Sequence, residues 1–170
     1  MKILPAGAQF DAEASSLALK PEQLLSVVEA LAADPALDLT YLRNVTAYER
    51  FDAPGVMMVY HFTSLLHKHT LAIYVPLDEG ALEVPSLANA FSSADWQERE
   101  VFDMFGVRFT GHPDLRRILM EDSCDFHPLR KSYQLDPAMN IRNLKEREEE
   151  MLKALSGDGK GKAKAGEDAE

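Results

Sequence analysis

The sequence predicts an α+β fold, with an N-terminal helix and an antiparallel meander sheet packed with helices, followed by an extended irregular C-terminal arm and a charged helix. Three observations predict this class. Apolar residues recur with a helical period over residues 21–33, three strand-like runs lie between residues 39 and 77, and residues 107–135 sustain neither period. Because 46% of the 170 residues are apolar, the chain has enough hydrophobic side chains for the core of one domain.

The first helix is predicted to begin at Pro21, since proline suits the first helical turn, where its missing N–H would have no partner. The helix ends before Asp34-Pro35, because a residue that precedes proline avoids the helical conformation. At about 3.6 residues per turn, its apolar residues share one face: Leu24, Leu25, Val27, Val28 and Leu31. This face is expected to pack on the core.

Three strands are predicted over residues 39–51, 56–64 and 69–77. A turn that contains Pro54 and Gly55 separates the first two strands, and a tight connection over residues 65–68 joins the last two. Connections this short join antiparallel neighbours. We therefore expect a meander that is covered on one face.

Two helices and a short strand are expected after the meander, over residues 85–91, 96–105 and 107–110. Pro85-Ser86 opens the first of these helices, and Ser93 or Asp95 can cap the second. Gly106 follows the second helix, where glycine allows the positive φ of the turn that leads out of it.

The chain divides into an α+β domain (1–106), an extended arm (107–135), a charged helix (136–155) and a flexible tail (156–170). A structureless loop as long as the arm is uncommon in a compact domain, and such loops are functional or lie on another protein. The tail holds four of the nine glycines and no apolar residue larger than alanine. It cannot offset the entropy cost of becoming ordered.

Charge and cysteine content exclude several classes of function. The 18 Lys and Arg stand against 28 Asp and Glu, a net charge of -10, so the chain is not expected to bind nucleic acid or anionic lipid unaided. The single cysteine, Cys124, cannot supply the thiolates of an iron–sulfur cluster or a thiolate zinc site. No apolar run approaches the roughly 20 residues that cross a bilayer.

The densest charge cluster comprises Glu98, Arg99, Glu100 and Asp103. Paired carboxylates can do acid–base work or hold a metal ion. However, an arginine lies inside the cluster, apolar residues crowd it, and no histidine stands at ligand spacing beside it. We favour ion pairs with the arginines downstream. A free-standing carboxylate metal enzyme that uses the three acidic residues stays as the alternative.

Two other groups indicate chemistry only weakly. His67 and His69 are two residues apart and could face the same way on a strand, but no third metal ligand is near in the sequence. They are expected to be exposed turn residues. Cys124 with His127 lacks a group that would orient the histidine as a base.

The arm contains two similar units, residues 112–119 and 127–131, each opened by His-Pro and containing two adjacent basic residues. Adjacent side chains point in different directions. One of Arg116 and Arg117 can therefore pair inward with a carboxylate of the charge cluster while the other faces a partner. Both units could instead be loop anchors of this domain.

These residues resemble a family signature: Glu98-Arg99-Glu100, Asp103, the apolar pair Met104-Phe105, His112, Arg116 and Ile118-Leu119. The family is that of the bacterial NADH-quinone oxidoreductase subunit whose mitochondrial counterpart is the 30-kilodalton subunit of respiratory complex I. The likeness covers roughly residues 20–135, and it extends to His127-Pro128-Leu129-Arg130-Lys131 and to Val84-Pro85-Ser86-Leu87 with Trp96.

The resemblance implies an α+β subunit that holds no cofactor and has no active site of its own. Iron–sulfur clusters, flavin and quinone would be bound by partner subunits. The chain would pack on the large quinone-site subunit, beside cluster-carrying subunits in the hydrophilic arm of the complex, and support electron transfer to quinone coupled to proton translocation. Its place would be peripheral, at the cytoplasmic face of the cell membrane, with membrane association only through the complex.

The resemblance also implies roles for single residues. A structural role in the family signature falls on Glu98, Arg99, Glu100, Asp103, Met104, Phe105 and Gly106. A partner interface falls on His112, Pro113, Asp114, Arg116, Arg117, His127, Pro128, Arg130 and Lys131. The family usually has a Trp-Glu-Gly type sequence where this chain has 123–126, so the equivalent subunit of a ferredoxin-, F420H2- or formate-linked complex or a hydrogenase is the alternative.

Overall fold

The structure is a computed structural model that describes residues 4–133 and Leu152. Residues 4–133 lie in one compact unit, whereas the predicted charged helix (Leu152 apart) and tail lie outside the described residues. In chain order the elements are β1 (Gln9–Asp11), β2 (Ser16–Ala18), α1 (Leu24–Ala33), β3 (Tyr41–Glu49), β4 (Gly55–Thr63), β5 (Thr70–Asp78), β6 (Glu83–Pro85), α2 (Ala94–Phe105) and β7 (Arg108–Thr110). The predicted α+β class is confirmed.

The main sheet has five strands in the order β1-β2-β5-β4-β3. Strands β3, β4 and β5 form the predicted antiparallel meander, with bounds within two residues of the predicted ones. Their register places buried apolar side chains in rows across one face: Leu42, Phe62 and Leu71; Val45, Tyr60 and Ile73; Ala47, Met58 and Val75. These rows form much of the core, which explains the alternating apolar pattern of the strands.

Helix α1 contributes Leu24, Val27, Val28 and Leu31 to the same core, as its periodicity predicts. Leu25, also assigned to the buried face, is 37% exposed. Within the part of the chain that the structure describes, no helix is both long enough and apolar enough to cross a membrane.

Strands β1 and β2 are additions that the sequence pattern does not reveal, because three residues are too few to show an alternation. They pair antiparallel with each other, and β2 pairs parallel with β5, so the sheet is mixed. Leu17 on β2 is buried and places the N-terminal segment against the core.

The helix predicted over residues 85–91 is wrong. Residues Glu83–Pro85 form β6, which pairs parallel with β7 in a second, two-stranded sheet. Only a single turn follows, in which the N–H groups of Ala90 and Phe91 donate to the carbonyl of Leu87. The strand is favoured because Val84 becomes buried when it pairs beside Phe109.

Helix α2 lies along the outer edge of β3. The Oε1 atom of Gln97 accepts the N–H of Val45 at 2.6 Å, and the hydroxyl of Ser93 donates to the carbonyl of Leu42 at 2.9 Å. Ser93 therefore precedes the helix as predicted, but its hydroxyl bonds to β3 and does not cap the helix. These bonds fix α2 against the sheet and orient its remaining faces.

Candidate functional site

Helix α2 carries the charge cluster that the sequence singles out. Glu98 and Asp103 are fully buried, whereas Glu100 is exposed. Five residues on a helix turn through about 140°, so the two buried carboxylates face different surroundings. Each is held by its own set of donors.

The carboxylate of Glu98 connects α2 to the segment after β6. Its Oε2 atom accepts the hydroxyl of Ser86 at 2.6 Å, and its Oε1 atom accepts the N–H of Leu87 at 2.7 Å. Burial raises the pKa of Glu98 above its ordinary value, and the two hydrogen bonds and nearby His112 oppose this rise. Within the described residues no arginine pairs with Glu98, so the expected ion pair with a downstream arginine is not found there.

His112 fixes the beginning of the arm on the N-terminal turn of α2. Its side chain is fully buried, and its Nδ1 atom accepts the N–H of Asp114 at 3.0 Å. The proton of a neutral ring then resides on Nε2, which lies 3.1 Å from the carbonyl oxygen of Asp95 and 4.0 Å from Oε2 of Glu98. His112 is thus engaged with its own domain.

Asp103 binds the middle of the arm. Its Oδ2 atom accepts three consecutive N–H groups, of Ile118 at 3.1 Å, Leu119 at 2.7 Å and Met120 at 2.9 Å. Its Oδ1 atom pairs with Nη1 of Arg117 at 2.5 Å. Burial alone would raise the pKa of Asp103, but the three backbone donors and the guanidinium outweigh it and hold the pKa below its ordinary value.

The C-terminal end of α2 is the third contact with the arm. The last carbonyl groups of a helix have no partner within it. Here Nδ1 of His127 lies 2.9 Å from the carbonyl oxygen of Asp103, and the N–H of Leu129 donates to Met104 at 3.1 Å. Gly106, with φ +78°, ends the helix, and a Cβ atom there would come within 2.7 Å of the His127 ring. Two separate constraints therefore require glycine at this position: the positive φ and the closeness of the His127 ring.

Arg130 and Lys131 attach the end of the arm to the sheet. The Nε atom of Arg130 lies 3.0 Å from Oε1 of Glu49, and its Nη2 atom pairs with Glu79. The N–H of Lys131 donates to Oε2 of Glu49 at 2.9 Å, and its ammonium lies 4.7 Å from the ring centroid of Phe51. The arm thus crosses from α2 to the end of the meander.

Arg99 is buried but makes no ion pair among the described residues. Its guanidinium lies 4.8 Å from the ring centroid of exposed Trp96, and its Nε atom donates to the carbonyl of Arg116 at 3.2 Å. The planar cation is stabilised by the indole face and by the arm backbone.

The two adjacent arginines of the arm, Arg116 and Arg117, have different surroundings in the structure. Arg117 pairs inward with Asp103, as predicted for one of the two arginines, and Arg116 is exposed beside Asp114. Four side chains assigned to a partner interface, His112, Arg117, His127 and Arg130, contact their own domain, as the loop-anchor alternative expects. Four others are exposed: Pro113, Asp114, Arg116 and Lys131.

The acidic groups that receive the arm outside α2, Glu49 and Glu79, are not apparent from the sequence. Each lies at least 51 residues from Arg130, and no local motif marks them. The three carboxylates of the charge cluster also do not converge: Glu98 and Asp103 bind separate sets of protein donors, and Glu100 is exposed. In the described part of the chain, no group of three or more His, Cys, Asp or Glu could hold a metal ion.

We expect Glu98→Gln to change the free energy of unfolding by no more than about 1 kcal/mol near pH 7, because the amide still accepts the N–H of Leu87 and a buried charge is removed. The folded-state pKa of Glu98 lies above the unfolded value. Protonation of Glu98 therefore adds to the stability of the wild type as the pH falls through the folded-state pKa. The variant lacks this gain. Urea unfolding of both proteins at two pH values measures the two free energies of unfolding. The prediction would be contradicted if, at the lower pH, the wild type became less stable relative to the variant.

Two solved structures share this fold. The trypsin-resistant fragment (1-134) of Nqo5 is 26% identical, with a TM-score of 0.50, over 59% of this chain and 81% of that one. A chain of a membrane-bound sulfane sulfur reductase, an archaeal respiratory membrane complex, is 16% identical, with a TM-score of 0.61, over 90% of this chain and 81% of that one. The fold is therefore one that a subunit of a respiratory membrane complex adopts.

Sequence comparison identifies the family. The model described as respiratory-chain NADH dehydrogenase, 30 Kd subunit, matches residues 17–138. An NADH-quinone oxidoreductase subunit of Roseiflexus sp. (strain RS-1) is 39% identical over 121 residues, 71% of this chain and 70% of the relative. The protein of the same name from Trichlorobacter lovleyi is 43% identical over 119 residues, 69% and 72% of the two chains. The chain belongs to the 30 Kd subunit family of respiratory-chain NADH dehydrogenase, which confirms the resemblance.

Proposed function

We propose that the chain is a structural subunit that carries no cofactor and docks on the large quinone-site subunit of an NADH-quinone oxidoreductase. In this role it supports electron transfer to quinone, coupled to proton translocation, while partner subunits bind the iron–sulfur clusters, flavin and quinone. It would lie in the hydrophilic arm of the complex, peripheral to the cytoplasmic face of the membrane. The family membership supports the class of assembly, and the arm supports the docking role.

The observation that carries the docking role is the attachment of the arm at separate points to its own domain. Because buried donors and carboxylates already hold the backbone, binding would not have to order this segment. The outward side chains Arg116, Leu119 and Leu129 are then presented by a fixed backbone, and all three are exposed.

Trp96 extends the same surface onto α2. Its indole is exposed and contacts Arg99, which in turn bonds to the backbone at Arg116. Tryptophan and arginine are the residue types that most often dominate the binding energy of protein interfaces. We define the docking surface as Trp96, Arg116, Leu119 and Leu129.

Charge reversal at one exposed arginine tests this surface. Arg116→Glu is expected to weaken binding to the large subunit about tenfold to a hundredfold, because it replaces a cation of the docking surface with an anion. The matched control is Arg108→Glu on β7, since both side chains are exposed (70% and 74%) and each pairs with one neighbouring carboxylate. The control should change binding less than about twofold.

Binding of the purified protein to immobilised large subunit gives both affinities, and thermal unfolding confirms that each variant folds. Equal binding by Arg116→Glu and the wild type would overturn the proposed docking surface. Equal losses for the two variants would show a general charge effect, and would overturn it as well.

The alternative is the equivalent subunit of a complex with another electron donor. The likeness to the sulfane sulfur reductase concerns the fold alone, whereas the relatives that are 39–43% identical are named as subunits of NADH-quinone oxidoreductase. These relatives favour NADH. Purification of the complex through a tag on this chain, followed by assay with NADH and a quinone, distinguishes the two.

A further inference from the structure

A cavity of about 660 Å³ opens between the β1–β2 hairpin, the loop that follows α1 and the first residues of β5. This volume falls within the range of roughly 300–1,000 Å³ that small-molecule sites occupy. Its apolar lining includes four leucines that are at most 8% exposed: Leu17, Leu31, Leu39 and Leu71. None of the described residues that line it belongs to the arm or to the docking surface.

Polar groups without partners lie at the open end of this cavity. Ser15 and Thr70 are exposed and line it, and neither hydroxyl makes a hydrogen bond with a described residue. The N–H of Ala72 donates to the carbonyl of Ser15 at 3.1 Å, which holds the hairpin turn beside the start of β5. His69 is partly buried in the same lining, and its Nε2 atom has no hydrogen-bond partner in the described part of the chain. The cavity therefore has buried leucines at one end and unused hydrogen-bonding groups at the other.

The position of His69 is fixed without the use of its Nε2 atom. Its ring stacks on that of His67, with the ring centroids 5.9 Å apart. Nε2 of His67 in turn lies 2.9 Å from the carbonyl oxygen of Pro35, in the loop that follows α1. A buried nitrogen without a partner costs free energy, which a ligand that bonds to it would recover. The polar end of the cavity is therefore formed before any ligand arrives.

Charge at the cavity limits the head group of a ligand. Asp34 is the only charged side chain among the described residues that line the cavity, and its Oδ1 atom accepts the N–H of Ala36 at 2.8 Å. It would repel a carboxylate or phosphate head group, and no Lys or Arg of that lining offsets the repulsion. An ammonium group would be attracted to Asp34 but would lose hydration beside the buried leucines. A hydroxyl can both donate and accept, so it suits His69 in either tautomer as well as Ser15 and Thr70.

We propose that this cavity binds a neutral amphiphile, with its apolar body against the buried leucines and a hydroxyl head group at Ser15, His69 and Thr70. Phe10 also lines the cavity and is 45% exposed, so that such a molecule would cover an aromatic ring that now faces solvent. The site lies apart from the docking surface. It adds a small-molecule ligand to a chain whose proposed role is structural.

The test is titration of the full chain with two probes of equal length, decanol and decanoate. Calorimetry gives the affinities, and the methyl resonances of Leu31 and Leu71 report whether the probe enters the cavity. Decanol is expected to bind with a dissociation constant on the order of 100 μM, the affinity that about 11 non-hydrogen atoms support. Decanoate should bind at least about tenfold more weakly, because its charge meets Asp34 and apolar side chains.

Two substitutions with matched controls locate the site. Ala36→Trp places a bulky ring at the opening and should abolish decanol binding, whereas Ala81→Trp, also exposed but beyond the other end of β5, should leave it unchanged. Thr70→Val removes one hydroxyl and should weaken decanol binding about threefold to tenfold, whereas Thr46→Val on β3, also exposed, should not change it. Thermal unfolding confirms that each variant folds.

Each other outcome overturns the inference. Decanoate that binds as tightly as decanol would show unspecific apolar adsorption, and decanol binding that persists in Ala36→Trp would place the probe elsewhere on the chain. If neither probe bound, the cavity would hold only water. If neither bound but Ala36→Trp released the chain from the assembled complex, the cavity would belong to a partner subunit. Because Arg116 is not altered, failure here is distinguishable from failure of the docking surface.

Discussion

Asp103→Ala is expected to lower the free energy of unfolding by about 3–5 kcal/mol, the cost typical of removing one partner of a buried ion pair. The substitution removes the carboxylate that pairs with the guanidinium of Arg117 and accepts the three N–H groups of Ile118, Leu119 and Met120; the guanidinium keeps only backbone carbonyl acceptors, such as that of Phe126. Denaturant unfolding measures the loss. Amide exchange should show the arm opening in the folded variant, because its central attachment is gone.

The matched control is Glu100→Ala, on the same helix but exposed, which should change stability by less than about 0.5 kcal/mol. The folded-state pKa of Asp103 lies below its ordinary value of 3.8. The stability that the Asp103 carboxylate contributes is therefore fully present above pH 3.8 and is lost as the pH falls through the folded-state pKa. The gap between wild type and Asp103→Ala should therefore narrow only in strong acid. Similar stabilities of the two alanine variants near neutral pH would contradict the prediction.

Gly106→Ala is expected to destabilise the protein by roughly 2–4 kcal/mol, from a left-handed backbone and a lost hydrogen bond. The new Cβ atom would stand 2.7 Å from the ring of His127 and would displace the ring from the carbonyl of Asp103. Thermal and denaturant unfolding give the size of the effect. The shift of the His127 ring resonances reports its displacement.

Gly111→Ala separates the two causes. Gly111 also has positive φ, +82°, but no atom lies within 4 Å of the position of its Cβ. Only the backbone cost of about 1–2 kcal/mol is expected there. If both variants lost the same stability, the contact between Gly106 and His127 would have no energetic importance.

Local patterns predicted the elements that have a strong period. The buried face of α1, the meander and α2 follow from the spacing of apolar residues, since burial on one side imposes that spacing. Strands β1 and β2 are too short to carry a pattern. Residues Glu83–Pro85 pair with β7, more than 20 residues away, and this pairing overrides a helical start at Pro85 that local rules favour.

The sequence predicted which residues belong to the site, but not which of them contact one another. Adjacent arginines at 116 and 117 imply that one faces inward, yet only packing decides which. Glu98 looked like an ion-pairing residue, and its partners are a hydroxyl and an N–H from the segment after β6. Glu49 and Glu79 receive Arg130 across the fold, and contacts so distant in sequence leave no local signal.

The bonds that Ser93 and Gln97 make to β3 affect the tendency of the free chain to aggregate before assembly. A bare strand edge would recruit the edges of other molecules and lead to aggregation. Because α2 covers the edge of β3 at these positions, the free chain is less prone to pair with other molecules through that edge. Substitutions that loosen α2, such as Gln97→Ala, should therefore increase the aggregation of the free protein before they affect the assembled one.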